Sequence, residues 1–532
     1  MKIWQFYFAF KLYFYARGYL QFDGFLNFVL FLYWLLPVWA ELYRVPRHPL
    51  FNRLHGPFGA LGCVALLWHD TYFPPVSAVY GFLMDPSTRP SAMYVSQFLA
   101  GYWSWMEVGV ISFLLMAFYA LHRYRVSATI PPFIATLVPP AISIATKPPP
   151  LNQVEKDFYA SQADKDEIIK LKVEQQSGSN FDIVILQVCS MAWEDLELAG
   201  LLNHPFLKAF DLVFTRFNTV TSYSTPAALR LLRAPCGQVQ HSLLYQDANS
   251  DCYLSEQLKS QGYRFDVLFN HYGTSSETMG NDLQRLARAP QPISVQSIKP
   301  EAVNYDDSAI LNNLETLQFW LNHRNQNQSP RTALYYNTVS LHGGSHFKNN
   351  QTWWKQDHVT HYHEAALRLF EDLRAFMALL QSSKRNVLVL MVAEHGAALK
   401  GNSVQAQDLR DIPLPTLTTV PLGVRWIVPG QESTVNPMIV KKAVSYRVLP
   451  KLIQFVANES RLPTTQELEK SLPTLTYFGE NERAVTTIQD GRLYFKQRGG
   501  PWKSLPQTLI PAQEDDPVKA GVTWKNKKES SL

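Results

Sequence analysis

The run Phe181-Asp182-Ile183-Val184-Ile185-Leu186-Gln187-Val188 decides how most of this chain folds. Its apolar residues, many of them β-branched, fall on both alternating faces, the pattern of a strand buried on both sides. Similar runs stand at Phe265–Phe269, Ala333–Leu341, Val387–Ala393 and Leu422–Val428. Between them lie helical patterns at Pro226–Ala234, Ser255–Gln261, Asp306–His323 and about Val359–Ser382. Strands alternating with helices predict an α/β domain with a mostly parallel sheet. Ligands of such sheets bind at the carboxyl ends of the strands.

Two of those ends carry chemistry. The first strand runs into Cys189, and Val387–Ala393 runs into Glu394-His395-Gly396. Thiolate, carboxylate and imidazole make a zinc-ligand set, and the sulfur favours zinc over magnesium or calcium. Neighbouring strand residues point to opposite faces. Glu394 and His395 can therefore share one ion only where the backbone leaves strand geometry, a turn that Gly396 would permit. A buried inert thiol and a solvated Glu-His loop fit the same residues. Thr221-Ser222-Tyr223-Ser224-Thr225-Pro226 adds a partner. Pro226 suits the first helical turn and Thr225 its cap. Ser224 then stands at or just before a helix N-terminus, where anions are favoured. A metal-bound serine there would lose its proton readily and attack phosphorus. A plain helix cap is the simpler reading of the same motif.

Charge divides the chain in two. The 532 residues carry 49 Lys and Arg against 44 Asp and Glu, a net charge of +5. Only ten basic and five acidic residues fall in 1–150, leaving 78 charges for the other 382 positions. This composition excludes a disordered chain, a collagen-like repeat, a disulfide mini-protein and a nucleic-acid binder resting on a large positive excess. Five apolar stretches, about 3–22, 24–42, 57–74, 103–121 and 127–146, approach the ~20 residues that cross a bilayer. Lys11 and Arg17 interrupt the first, and Pro131, Pro132, Pro139 and Pro140 the last. No cleavage pattern of a secretory signal peptide follows the first stretch. Arg44, Arg47, Arg53, Arg123 and Arg125 mark cytoplasmic connections by the positive-inside rule. That places the N-terminus inside, and both the loop at about 75–102 and everything after 147 outside.

The expected organisation is a transmembrane segment of about five helices over 1–147 and a polar linker over 148–180, with a helical pattern at about 153–175. An outward-facing α/β domain over 181–532 follows. Cys236 and Cys252, sixteen positions apart, fit either a disulfide in an oxidising compartment or two buried thiols. A bridge closing that loop would contribute about 3 kcal/mol on the chain-entropy account. Cys63 lies within a span, and Cys189 is left over.

Taken together, several segments resemble the bacterial cellulose phosphoethanolamine transferases, a family of the alkaline phosphatase superfamily. They are Val188-Cys189-Ser190-x-x-Trp193, the block Phe217–Gly237 around Ser-Tyr-Ser-x-Pro-Ala-Ala, Asn337–His342, Glu394-His395-Gly396 and Leu409-Arg410-Asp411-Ile412-Pro413. The likeness includes the membrane segment and continues to about residue 430, with a weaker tail. It implies an alkaline-phosphatase-like fold for the second domain and one catalytic zinc ion, Zn2+, held by Cys189, Ser224, Glu394 and His395. Ser224 would be the nucleophile, with Tyr223, His342 and Arg410 lining the phosphate and leaving-group site, and Cys236 and Cys252 would form a disulfide. Cys189 stands where related lipid A transferases carry a carboxylate. Thr225 and Ala397 stand where the family pattern has glycine, both beside the chemistry.

The resemblance also implies what the protein acts on and where. The donor would be phosphatidylethanolamine and the acceptor cellulose, modified at glucose O6. The protein would be a multi-pass inner-membrane enzyme with its catalytic domain in the periplasm, in contact with cellulose synthase subunits. Its reaction would pass through a phosphoethanolamine-serine intermediate, with a proton supplied through His342 and phosphoryl charge stabilised by Arg410. Rival readings are transfer to lipid A or another periplasmic glycan, and a non-catalytic scaffold of the synthase complex. Trp353 and Trp354 could stack on sugars, and His271 or His346 could border the site, while His204 and His241 have no assignment. In the tail, Asp490-Gly491 reads as a hairpin turn between Ala484–Ile488 and Arg492–Phe495.

Overall fold

The computed structural model describes residues 3–101, 151–162, 168–172 and 180–510, together with scattered positions between 108 and 119. Within these, 18, 47, 86–88, 328, 351–355, 432–436, 473–474, 499 and 507–508 are left out. The chain forms two compact units. Met1–Phe82, Ser96–Pro149 and Lys400–Leu409 make the first, and Leu83–Val95, Pro150–Leu399 and Arg410–Leu532 the second.

The strands of the second unit are, in chain order, β1 (Phe181–Val188), β2 (Leu212–Asn218), β3 (Arg264–Phe269), β4 (His271–Tyr272), β5 (Pro300–Val303), β6 (Ala309–Leu311), β7 (Thr332–Thr338) and β8 (His346–Phe347). There follow β9 (Asn386–Ala393), β10 (Thr419–Ile427), β11 (Met438–Val440), β12 (Phe478–Glu480), β13 (Ala484–Gln489), β14 (Arg492–Gln497) and β15 (Lys503–Ser504). Seven build the central sheet in the order β11-β2-β10-β9-β1-β7-β3. Only β10 runs against the rest, so the expected mostly parallel sheet is observed. All eight residues of β1 are buried, as apolar residues on both of its faces require. Asp182 is accommodated there by Arg324 and Arg385, whose Nε atoms lie 2.9 and 2.7 Å from its Oδ2. Register sets the ends level: Val188 pairs with Thr338 of β7 on one side and Ala393 of β9 on the other. The residues that follow these three strands therefore leave the sheet side by side.

Several boundaries differ from the sequence expectation. The pattern at Asp306–His323 becomes a helix only at Asn313, because Ala309–Leu311 pairs as β6 and Asn312 caps the helix by accepting from the Glu315 amide. The strand expected over Ala333–Leu341 stops at Thr338. The linker helix is Asn152–Gln162, shorter than its pattern. Strand β2 had no expectation, since Thr215, Arg216 and Asn218 dilute its apolar run. The tail hairpin forms as read: Asp490 and Gly491 adopt φ of 50° and 70° between β13 and β14, the left-handed pair that suits such a turn.

The N-terminal helices are α1 (Ile3–Ala16), α2 (Gly24–Leu42), α3 (Pro49–Asp70), α4 (Val76–Met84) and α5 (Ala92–Gly101). Among the described residues, α2 is the one helix long and apolar enough to cross a membrane. The expectation of about five spans is thus met by one helix, and the stretches at 103–121 and 127–146 lie outside the described residues but for scattered positions. α1 stops short of residue 22. α3 begins ahead of residue 57 because capping decides its start: His48 accepts from the Leu50 amide, and Pro49 occupies the first turn. Lys11 does not disrupt its helix. Its ammonium is buried 2.7 Å from Asp70 Oδ2 and 2.7 Å from Asn27 Oδ1, tying α1 to α2 and α3.

Candidate metal centre

The level strand ends of β1 and β9 bring Cys189, Glu394 and His395 together, all wholly buried. β9 ends at Ala393. Beyond it, the Glu394 amide still bonds Val188 O at 2.8 Å, and His395 O accepts from the Met191 amide at 2.7 Å. Past the pleat, consecutive side chains can turn to one point. Gly396 serves this differently from expectation: its φ is not positive, but a Cβ there would lie 2.9 Å from Ala192 Cβ and 3.0 Å from Asp195 Oδ2. Close approach of backbone, not an unusual turn, demands the glycine.

Ser224 completes the group. Cys189 Sγ is 3.4 Å from Ser224 Oγ and 3.7 Å from His395 Nε2. His395 Nε2 is 3.3 Å from Ser224 Oγ and 3.7 Å from Glu394 Oε2. A tetrahedral ion with ligand bonds of about 2.0–2.3 Å needs ligand atoms about 3.3–3.8 Å apart. These four separations are those of such a shell, and the ligand atoms of Cys189, Glu394 and His395 all lie within 4.8 Å of one another. Glu394 Oε2 is buried without a hydrogen bond, costly unless a cation completes it. Glu394 Oε1 accepts from Asn337 Nδ2 at 2.5 Å. The Nδ1–H of His395 donates to Gly396 O at 2.9 Å, which leaves the Nε2 lone pair for a metal. Burial, reinforced by Glu394, pushes the Cys189 thiol up to about 12. Burial also raises the Glu394 carboxyl and holds His395 well below the usual imidazole range. These residues fit a zinc ion, whose charge would favour the thiolate and carboxylate that burial opposes.

Ser224 opens the helix Ser224–Leu232, with Tyr223 as its N-cap, so Thr225 is not the cap and Pro226 sits two positions deeper than expected, still in the first turn. Ser224 remains half-buried, unlike the other three ligand candidates. Arg410 reaches the site from a loop, its guanidinium 3.2 Å from Ser190 Oγ, 3.4 Å from His395 Nδ1 and 3.1 Å from His342 Nε2. His342 Nδ1–H donates to Gly343 O at 2.8 Å. Burial and the Arg410 charge lower this imidazole to about 3, so it rests neutral with Nε2 as an acceptor. Tyr223 donates to Asp411 Oδ1 at 2.9 Å, and burial lifts its phenol well above the ordinary range.

Two supporting residues gave no signal in the sequence. Asn481, just past β12, accepts from Thr221 Oγ1 at 2.8 Å and from the Ser222 amide at 3.1 Å. Its Nδ2 donates to Ser222 Oγ, Arg410 O and Asp411 O at 2.7–3.1 Å. One amide therefore joins the serine loop to the arginine loop. Asp195 Oδ2 accepts from the amides of Ala192 and Ala397 at 2.9 and 2.8 Å, binding the segment after β1 to the segment after β9. Ala397, the departure from glycine, takes part through its backbone alone. His271, expected as a residue that could border the site, has its Nε2 3.2 Å from Asn337 Oδ1 and so stands behind Glu394, one residue removed from the ligand set. The backbone leading into the site is strained: Val220, β-branched and buried, has φ 67°, and Ser190 has φ 60°. A disulfide joins Cys236 and Cys252. Trp353 and Trp354 lie outside the described residues.

Residues 4–138 match the family model of the N-terminal domain of cellulose biosynthesis protein BcsG, and 139–502 that of its C-terminal domain. The chain is 29% identical to cellulose biosynthesis protein BcsG of Escherichia coli strain K12 and 30% identical to that of Salmonella typhimurium strain LT2. Each alignment covers 95% of this chain and 96% of the relative. A crystal structure of a protein in the alkaline phosphatase superfamily from Vibrio parahaemolyticus aligns with a TM-score of 0.44 at 13% identity, covering 67% of this chain and 91% of that one. Matched by both domain models over nearly its whole length, the chain belongs to the family of cellulose biosynthesis protein BcsG.

Proposed function

We propose that this chain is an alkaline-phosphatase-like transferase that moves phosphoethanolamine from phosphatidylethanolamine to glucose O6 hydroxyls of nascent cellulose. Zinc would be held by Cys189, Ser224, Glu394 and His395. The observation that carries the reading is the convergence of four ligand atoms, with neighbouring separations of 3.3–3.7 Å and the accessible one on a serine that begins a helix. When bound, zinc would lower the pKa of the Ser224 hydroxyl and offset charge on the phosphoryl oxygens.

In the first displacement a bond forms between Ser224 Oγ and phosphorus while the phosphorus–oxygen bond to diacylglycerol breaks, and the serine proton ends on the diacylglycerol. In the second, phosphorus passes to the sugar oxygen, and the sugar's proton returns to Ser224. His342 would supply the proton to the leaving oxygen. Burial and the Arg410 charge hold its imidazole at about 3 and its Nε2 accepts from Arg410, so phosphoryl charge beside it must offset both before it carries a proton. Arg410 and the amide end of the Ser224–Leu232 helix would stabilise the phosphoryl charge. Tyr223, held by Asp411, would shape the leaving-group side.

Outward apolar side chains on α2 and α3, among them Phe25, Trp39, Leu61 and Val64, support a multi-pass inner-membrane anchor beside a lipid donor. The disulfide supports a periplasmic catalytic domain over 181–532, within reach of synthase subunits. Phosphorus NMR of cellulose from cells carrying wild-type or Ser224→Ala protein tests the reading. A phosphoethanolamine signal is expected with wild type only. Full signal with Ser224→Ala would sink the nucleophile, and none with either would reject cellulose as acceptor.

A further inference from the structure

The segment Leu83–Val95 precedes the catalytic residues by about a hundred positions, yet it belongs to the second compact unit. Its Ser91 amide donates to Tyr305 O at 2.8 Å. Beside that bond the Tyr94 ring meets the Tyr305 ring, centroids 5.8 Å apart. Tyr305 in turn stacks on the His342 imidazole, 4.7 Å between centroids and 22° between planes. His342 is the residue whose Nε2 accepts from Arg410. A continuous line of contacts thus runs from Ser91 and Tyr94 to the Arg410 guanidinium, which lies 3.4 Å from His395 Nδ1.

Each link is held from a second direction. Tyr305 lies in the β5–β6 connection, closed by the Ser308 O···Asn304 amide bond at 2.9 Å and by Asp307 at φ 63°. Asp306 anchors the same loop through Ser275 at 2.7 Å. The His342 turn is closed by its amide on Val339 O and by the Ser345 amide on His342 O. At Gly344, in that turn, a Cβ would fall 2.3 Å from Tyr94 Cδ2 and 3.1 Å from Tyr305 Cβ. The two tyrosines therefore occupy the space in which any side chain at 344 would have to sit.

We infer that Tyr94 and Tyr305 are positioning residues. They clamp the His342 imidazole in the orientation that presents Nε2 to Arg410, so that a segment of the first hundred residues sets the geometry of the phosphoryl-transfer site. The inference rests on the transfer reading given above. The rings act by area and shape, because stacking places the plane of the imidazole and leaves its Nδ1–H to Gly343. The hydroxyl groups are not required for that role.

The test uses the full-length protein in detergent or nanodiscs, loaded with zinc, with p-nitrophenyl phosphoethanolamine as the probe. Wild type is compared with Tyr94→Ala, Tyr94→Phe, Tyr305→Ala, Tyr305→Phe and the double alanine variant. Each alanine change is expected to lower kcat about tenfold with little change in KM, since a misplaced proton donor slows chemistry more than binding. Phenylalanine should restore kcat in both positions. The double variant should fall no further than Tyr305→Ala, as expected for residues acting in one chain of contacts. Hydrogen–deuterium exchange on the metal-free protein gives a readout independent of turnover. Tyr94→Ala should speed exchange in peptides spanning 301–312 and 339–348. Wild-type kcat in Tyr94→Ala, fully additive losses, or unchanged exchange in those peptides would overturn the clamp. If wild type itself fails to turn over the probe, the transfer reading falls, and the exchange measurement alone decides the clamp.

Discussion

Two buried polar clusters, one in each unit, are resolved in opposite ways. In the first unit Lys11, Asn27 and Asp70 close on one another: the ammonium meets the carboxylate at 2.7 Å, and Asn27 bonds both. In the second, Cys189, Ser224, Glu394 and His395 converge on a shared point, and Glu394 Oε2 has no hydrogen bond. The closed cluster carries its own counter-charge and holds helices together. The open one is completed only by something from outside. Burial of ionisable groups alone does not mark a functional site. The difference lies in whether the lone pairs are consumed within the protein.

The largest expected effect tests the open cluster. Cys189→Ala or Glu394→Gln should weaken zinc binding at least 100-fold, read as metal content after dialysis against a competing chelator. Stoichiometric zinc retained by both variants would show that this cluster is not completed by a metal. The converse follows for the metal-free chain. There Glu394→Gln should leave unfolding stability equal or higher, because it deletes a buried acid that lacks its counter-charge. Next in size is the closed cluster: Lys11→Met leaves Asp70 buried without its cation and should cost about 3–5 kcal/mol. Denaturant titration of the full chain in detergent would show it, and a loss below about 1 kcal/mol would mean that the closed cluster is not a structural tie.

A smaller effect is expected at the brace. Asn481→Ala cuts the bonds joining the Ser222 loop to Arg410 and Asp411. It should destabilise the second unit by about 2–3 kcal/mol and lower transfer while leaving bound zinc unchanged. Zinc loss in that variant would show the ligand set to depend on the brace, against the picture of four ligands fixed by strand ends.

This contrast also explains what could be read from the chain. The ligand residues were legible because β1 and β9 are mostly apolar, with Asp182, Gln187 and Asn386 as exceptions, and end abruptly in Cys189 and Glu394-His395, so pattern and chemistry coincide. β2 was hidden because its covered positions include Thr215 and Asn218. β6 was read as helix because a three-residue strand beside a true helix has no period of its own. Asn481 and Asp195 were silent for another reason. They act on backbone amides and carbonyls, which every residue has, and Asn481 does so across about 260 positions of sequence. In the membrane segment hydropathy located apolar stretches but not their bounds, because caps such as His48 set where a helix begins.

The smallest expected effect separates Asp195 from both clusters. Its carboxyl is wholly buried and receives two short backbone bonds, neither from a cation. Burial raises it to about 7, with the Ala397 and Ala192 amides opposing. The folded chain therefore binds this proton near pH 7, while an unfolded carboxyl binds it only near pH 4. Between those values the folded state holds more protons, so this group's contribution to stability grows as pH falls from about 7 toward about 4, and is lost as pH rises through 7. Asp195→Asn cannot titrate, and its amide oxygen can still accept from Ala192 and Ala397. The stability of wild type minus that of Asp195→Asn should increase between about pH 8 and about pH 5, measured by denaturant midpoints on the metal-free chain. A difference independent of pH would show that the carboxyl titrates in the ordinary range. Asp195 would then be a charged tie solvated well enough by backbone amides alone, a third kind of buried group that needs neither a counter-ion nor a metal.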